Sequence, residues 1–104
     1  MKIFTDVHNR NIRLTDERAA HILNDHPEMA EQLGRLKETL LFPDVIVQSR
    51  VDTSVELFYR LYSKTPVTQK YLCVVVKVIE GNFFIITAYY TDARKKGVIL
   101  WLKK

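Results

Sequence analysis

Cysteine, glycine and proline are scarce in this 104-residue chain, and each shortage excludes a class of structure. The single cysteine, Cys73, cannot form an intrachain disulfide; it lies among valines, where a free thiol usually packs as a small apolar group. Three unclustered glycines leave no P-loop for nucleotide hydrolysis. No apolar run approaches membrane-spanning length, and no signal-peptide pattern follows Met1. We therefore expect a reduced, cytoplasmic protein with no membrane segment and no cofactor.

The overall composition is typical of one small globular domain. Apolar residues make up 47% of the chain and charged residues 27%, which suits a single modest core. We predict one domain over residues 1–104. The net charge of +4 permits an anionic partner, and the basic residues are unevenly placed. Residues 93–104 contain five Lys or Arg and no acid.

Capping residues and apolar spacing predict two helices. Thr15 has the character of an N-cap, and Asp16 follows it in the first turn, where negative charge suits the helix dipole. This helix is expected to end near Asp25. Pro27 then begins a second helix, predicted over residues 27–41, because proline is tolerated at a helix start but not inside one.

β-branched and aromatic residues predict strands on both sides of these helices. In chain order the predicted strands are 2–5, 11–14, 45–49, 55–62, a long hairpin over 70–92 and a last edge strand within 97–102. The predicted fold class is α+β, with two N-terminal helices packed on one face of a four- to five-stranded antiparallel sheet.

The long hairpin ends in hydroxyl-bearing residues, which makes its far end a candidate site. A two-residue turn at 80–81 or 81–82 would place even positions of the first strand opposite odd positions of the second. Thr87 and Tyr89 would then share a face with Leu72 and Val74, the face expected to meet the helices. Tyr90 would lie on the opposite face.

Two histidines in the first helical region could carry acid–base chemistry. His21 has Arg18 and Asp25 at helical spacing, so it is either a general acid or base held by a carboxylate or an ordinary surface histidine. His26 falls on the apolar stripe beside the helix break, where it is either a second acid or a partly buried structural group. The two histidines are about 140° apart around a helix, so they do not converge on a metal.

Cations and hydroxyls on the predicted strands could bind phosphate. Arg60 lies mid-strand and could clamp a phosphate, or it could pair with Glu56 or Asp44. Lys70 begins the long hairpin and could lie near Thr91 or Asp92, either at a site or as a solvated strand end. Candidate substrate-binding residues are Asp25, Tyr59, Tyr90, Arg94, Lys95 and Lys96, with the rings offered for stacking and the cations for phosphates.

The segment TDERAAHILNDHPE, residues 15–28, resembles the opening helix motif of a family of small phage-associated domains. That family is grouped with barnase, EndoU, the nuclease colicins and RelE-like toxins. The resemblance continues at residues 39–44, 58–60, 70–76 and 84–89, and as a whole it extends from about residue 12 to about residue 101.

The resemblance implies a metal-independent ribonuclease with a barnase- or RelE-like fold, acting as a toxin in phage or mobile elements. It implies RNA as substrate and a cognate antitoxin or immunity protein as partner. The positions that it carries over as catalytic are His21, His26, Arg60, Lys70, Thr87 and Tyr89. The expected reaction is attack of the RNA 2′-hydroxyl on the adjacent phosphate, with His21, oriented by Asp25, as acid or base. The alternatives are a non-catalytic RNA-binding module and a protein-interaction module on the same scaffold.

Overall fold

The structure is a computed structural model that describes residues 1–104, and its fold class is α+β, as predicted. Two strands precede two helices, and five more strands follow them. In chain order the elements are β1 (Lys2–Thr5), β2 (Asn11–Leu14), α1 (Asp16–Asp25), a 3₁₀ turn (Pro27–Met29), α2 (Leu33–Leu41), β3 (Val45–Gln48), β4 (Val55–Tyr62), β5 (Lys70–Ile79), β6 (Asn82–Thr91) and β7 (Ile99–Leu102).

All seven strands form one mixed sheet, in the order β1-β2-β6-β5-β4-β3-β7. The predicted number of strands, four to five, was therefore too low, because the N-terminal hairpin also joins the sheet. It does so through β2, which runs parallel to β6 and pairs with it at Arg13 and Phe84. Beyond Phe84, the rest of β6 has no strand neighbour on that side, and α1 lies there instead.

The first helix forms as predicted, but the second is shorter than predicted. The Thr15 hydroxyl accepts a hydrogen bond from the Arg18 N–H and caps α1. After the 3₁₀ turn the backbone leaves helical geometry, with a positive φ of 63° at Glu31, and α2 begins only at Leu33. Leu33, the first residue of α2, is exposed. Neither helix has the length or apolar character needed to cross a membrane.

The hairpin turn forms where predicted, but a bulge changes the faces of β6. Glu80 and Gly81 both have positive φ, 47° and 78°, as a tight two-residue hairpin turn requires. Val76 pairs with Ile85, whereas Val75 pairs with Thr87, so one extra residue of β6 lies between them. A one-residue insertion exchanges the faces of everything beyond it.

The face prediction for the end of β6 was therefore wrong. Ala88 and Tyr90 lie opposite Val74 and Leu72 and pack in the core beneath the helices. Thr87 and Tyr89 belong to the other face, and Tyr89 lies opposite Cys73.

Each face of the sheet has its own core. The larger core lies between the sheet and the helices, around Ile22, Leu40 and Phe58. The smaller core lies on the other face and contains Val45, Val47, Val55, Leu57, Tyr59 and Cys73. Around it Tyr71, Val75, Ile86, Thr87 and Tyr89 are only half-buried, and we call this side of the sheet the open face.

Residues 92–98, the crossover segment, connect β6 to β7 across the open face. The guanidinium carbon of Arg94 lies 5.6 Å from the ring centroid of Tyr71 on β5. The Lys95 N–H donates to the Tyr59 hydroxyl on β4, over 3.0 Å. Next, Gly97 lies so close to β3 that a Cβ atom there would be 2.3 Å from the Gln48 carbonyl oxygen. The crossover segment thus covers part of the smaller core and carries Arg94, Lys95 and Lys96 onto this side of the sheet.

Candidate functional site

His26 reaches the open face from the end of α1. It is the C-cap residue, and its N–H donates to the Ile22 carbonyl. Its imidazole stacks on the Tyr89 ring, with centroids 5.3 Å apart and planes inclined by 29°. This contact is possible because β6 has no strand neighbour there, so a side chain from α1 can pass around its edge.

A carboxylate accompanies the imidazole. Glu28 Oε2 lies 3.7 Å from His26 Nδ1, and the His26 side chain keeps one third of its surface exposed. A negative charge on that side favours a proton on Nδ1 and leaves Nε2 able to accept one. The arrangement suits proton transfer at the margin of the open face.

The phenols of the open face are held in their neutral form. Burial, together with the neighbouring Cys73, raises the pKa of Tyr89. Burial also raises the pKa of Tyr59 to about 12 and that of Cys73 to about 11. At neutral pH these groups are therefore neither bases nor thiolate nucleophiles, and they form a polar but uncharged floor.

Positive charge surrounds this floor. Arg94 lies over the Tyr71 ring, and Lys95 and Lys96 follow it on the crossover segment with exposed side chains. The predicted proximity of Lys70 and Asp92 is confirmed, since the Lys70 ammonium pairs with the Asp92 carboxylate where the crossover segment begins. The site therefore combines an imidazole, neutral phenols and several cations.

Six of the residues selected from the sequence converge on this face, and a seventh, Lys96, lies on the crossover segment. His26, Thr87, Tyr89 and Tyr59 lie on it or at its edge, and Arg94 and Lys95 contact it from above. Lys96 is exposed on the crossover segment, whereas Lys70 lies opposite Tyr62 on the helix side of the sheet, where it pairs with Asp92. Tyr90 lies on the helix side, where its hydroxyl donates to Gln32 Oε1.

His21, Asp25 and Arg60 lie elsewhere. His21 is exposed on the outer surface of α1, and its nearest carboxylate is Glu17 at 4.0 Å, not the predicted Asp25. Asp25 instead accepts a hydrogen bond from Asn24. Arg60 lies on the helix side of the sheet, as its strand position alternates with that of Tyr59.

Arg60 has neither of the ion partners considered for it. Its Nη1 donates to the Phe42 carbonyl over 2.7 Å, and its Nε lies 3.4 Å from Glu38 Oε1 on α2. Glu56 pairs instead with Arg10, and Asp44 accepts from the Leu61 N–H. Arg60 therefore joins β4 to the end of α2.

Two groups of functional interest were missed at the level of sequence. Tyr71 lies beneath Arg94, and Glu28 lies beside His26. Both residues belong to the site through tertiary contacts, which no local sequence pattern predicts. The chain brings together no group of three or more His, Cys, Asp or Glu side chains that could hold a metal ion.

The open face thus brings together an imidazole, aromatic rings and cations in a small α+β domain. A family model described as phage-Barnase-EndoU-ColicinE5/D-RelE like nuclease 2 matches residues 1–102. The chain therefore belongs to this nuclease family, as the resemblance of its motifs indicated. No curated protein and no solved structure matches the chain.

Proposed function

We propose that this nuclease-family domain cleaves RNA on its open face, without a metal ion, by attack of the 2′-hydroxyl on the adjacent phosphate. The observation that carries the proposal is the His26 imidazole, stacked on Tyr89 at the edge of a face crossed by a cationic segment. An imidazole is the side chain best suited to proton transfer near neutral pH.

RNA is the substrate that this face suits best. Single-stranded RNA is bound by stacking its bases on aromatic rings and by placing cations near its phosphates. The half-buried ring of Tyr71 and the neighbouring Arg94 offer both contacts. RNA also carries its own nucleophile, the 2′-hydroxyl, which a base can activate directly.

In the proposed reaction, Nε2 of His26 takes the proton from the 2′-hydroxyl. The oxygen attacks phosphorus, the bond to the 5′-oxygen breaks, and that oxygen leaves with a proton from water. The product is a 2′,3′-cyclic phosphate. Arg94 and Lys95 stabilise the charge that develops on the phosphoryl oxygens. Thr87 holds a phosphate oxygen, and Tyr89 positions the imidazole.

Cleavage of mixed RNA by the purified protein in EDTA tests the proposal. His26→Ala should lower the rate by about 10²- to 10⁴-fold, the contribution usual for a general base. His21→Ala is the matched control, because it removes a second histidine of the same region that is exposed and directed away from the sheet. Equal activity of the two variants would contradict the assignment, and activity only after a divalent ion is added would contradict metal independence.

A toxin role is part of the same proposal. If RNA cleavage is the activity, expression of the domain in a bacterial host should arrest growth, and His26→Ala should relieve the arrest. Growth arrest by both forms would separate toxicity from this site.

One observation favours a second function, RNA binding without cleavage. The open face offers a single imidazole, so one of the two proton transfers of the reaction would fall to a phenol, an ammonium group or water. Binding alone would give no product at high protein concentration. Arg94→Ala should then reduce the slope of log affinity against log salt concentration by about one, the loss of one phosphate contact. Lys37→Ala removes an exposed lysine of α2 and should leave this slope unchanged.

A further inference from the structure

β7 is the outermost strand on one side of the sheet, and its surface is unusually apolar. It pairs only with β3, so one side of its backbone has no strand neighbour. Large apolar side chains are exposed along it and beside it: Val98 63%, Ile99 57%, Leu100 41%, Leu102 57% and Phe42 59%. Exposed hydrophobic edge strands are normally avoided, because they invite pairing with another chain. We call these residues the β7 edge.

Most of the charge around the β7 edge is positive, and the acid Asp44, which precedes β3, pairs with Lys103 at 3.6 Å. Lys95 and Lys96 precede the strand, Lys103 and Lys104 follow it, and no acid occurs from position 93 to the end of the sequence. In a symmetric antiparallel pairing of two copies centred on Leu100, Lys104 of each copy would face Lys96 of the other. Like charges placed opposite each other destabilise a strand pair. This register is therefore unfavourable between two copies, whereas a strand with acidic ends would place carboxylates beside the lysines.

We propose that the β7 edge is the docking site of an extended, acidic segment of a partner protein. The segment forms an eighth strand of the sheet, and its backbone hydrogen-bonds to the unpaired side of β7. The carboxylates of the segment then face the lysines that flank β7. This surface is separate from the His26 site and does not depend on the reaction proposed there.

A neighbouring depression favours a polypeptide over a nucleic acid. It has a volume of about 390 Å³ and lies on the helix side of the edge. Its lining is apolar at Val7, Leu41, Phe42, Pro43 and Trp101 and cationic at Arg60 and Lys103. Side chains of an added strand alternate between the two faces of the sheet, so one of them can reach this depression. An aliphatic or aromatic side chain fits such a surface, whereas a sugar–phosphate backbone does not.

Fluorescence anisotropy with designed peptides tests the proposal on the full chain. The probe is a labelled peptide with an alternating Val-Thr centre and two Glu at each end. The comparison peptides are one with Lys in place of Glu and one with a proline in the centre. The acidic peptide should bind, and its affinity should fall as the salt concentration rises. The other two peptides should bind at least about tenfold more weakly. Equal binding of all three peptides, or none, would overturn the proposal.

Edge variants locate the binding surface. Ile99→Lys combined with Leu102→Lys should weaken peptide binding about tenfold or more. Ile3→Lys is the matched control, because Ile3 lies on the opposite edge strand β1 and is 59% exposed, close to the 57% of Ile99. Equal losses at both edges would overturn the assignment.

Two further outcomes would replace the proposed occupant. The chain could self-associate in the absence of peptide. If Ile99→Lys abolishes that self-association, the edge is assigned to a second copy. A single-stranded RNA oligonucleotide is added to the peptide complex as a competitor for the same surface. Displacement of the peptide to the same extent in the unmodified chain and in the Ile3→Lys variant would assign the surface to nucleic acid. Retention of open-face activity in the edge variants separates this proposal from the nuclease reaction.

Discussion

The imidazole of His26 lies against the phenol ring of Tyr89, at 5.3 Å between centroids, although one residue ends a helix and the other lies on the opposite side of the sheet. The contact passes around the free edge of β6. It brings a group able to move protons to a face that already carries cations, and it is the most specific feature of the candidate site.

We predict that Tyr89 acts through its ring. Tyr89→Phe keeps the stacked ring and should retain RNA cleavage, whereas Tyr89→Leu should lower kcat by roughly tenfold, the scale of one aromatic contact. Loss of the ring should also remove the ring-current shift of the His26 imidazole protons in NMR spectra. If both variants keep that shift and the full rate, Tyr89 does not position His26.

We predict opposite effects on stability for two glycine substitutions. Gly97→Ala should destabilise the protein by about 1–3 kcal/mol, because the new Cβ would overlap the Gln48 carbonyl oxygen of β3, a backbone atom that cannot move aside. Gly34→Ala is the control: it lies in α2 with nothing within 4 Å of its new Cβ, and alanine should stabilise that helix by up to about 1 kcal/mol. Urea denaturation measures both, and a neutral Gly97→Ala would contradict the close crossing.

We predict that the fold loses stability in alkali. The pKa of Tyr59 is raised from 10.0 to about 12 and that of Cys73 from 9.0 to about 11, in both cases chiefly by burial. A raised folded-state pKa stabilises the fold fully below the ordinary value and loses that contribution as the pH rises through the raised value. Unfolding should therefore become easier from about pH 9 and continue to about pH 12.

Tyr59→Phe should reduce the loss of stability at alkaline pH. Circular dichroism follows unfolding as the pH rises, and tyrosinate absorbance recorded on the same samples follows ionisation of the phenols. The same variant loses the hydrogen bond from the Lys95 N–H and should be less stable at neutral pH by about 1 kcal/mol. Tyr71→Phe, a half-buried phenol of the same face, is the comparison. An alkaline transition that is unchanged in Tyr59→Phe would show that other groups govern it.

We predict that Arg10 is required for stability. Its guanidinium donates to the buried Asp6 at 2.8 Å and to Glu56 at 2.6 Å. Burial alone would lower the pKa of Arg10, but these hydrogen bonds outweigh it and raise the pKa. Arg10→Met would leave two carboxylates without their cation and should cost about 3–5 kcal/mol.

Arg18→Met is the matched control for Arg10→Met, since Arg18 is exposed on α1 and its replacement should change stability by less than about 0.5 kcal/mol. Denaturation midpoints compare the two variants. Equal midpoints would show that the Asp6–Arg10–Glu56 network contributes little.

Local signals in the sequence were sufficient for most elements of this fold. The Thr15 cap and the turn at Glu80 and Gly81 lie where predicted, because caps and tight turns depend on a few adjacent residues. The face assignment of Tyr89 failed for a physical reason. β5 is apolar on both faces, with Leu72 and Val74 on one and Cys73 and Val75 on the other, so its pattern gave no sign of a bulge in β6.

The candidate site could be predicted only in part. The sequence selected His26, Tyr89 and Arg94, but their meeting depends on the free edge of β6 and on the path of residues 92–98. These are long-range features, which periodicity does not report. The same limit explains Arg60: its strand position was predicted, but Glu38 and the Phe42 carbonyl reach it from a helix.

The crossover segment also has a consequence for the order of folding. Lys95 and Gly97 can make their contacts only after β3, β4 and β5 have paired, since Tyr59 and Gln48 belong to different strands of that group. Contacts of this kind form late, because the cost of closing the intervening chain precedes any gain from it. We therefore expect the cations of residues 92–98 to reach their positions over the open face late in the folding of a newly made chain.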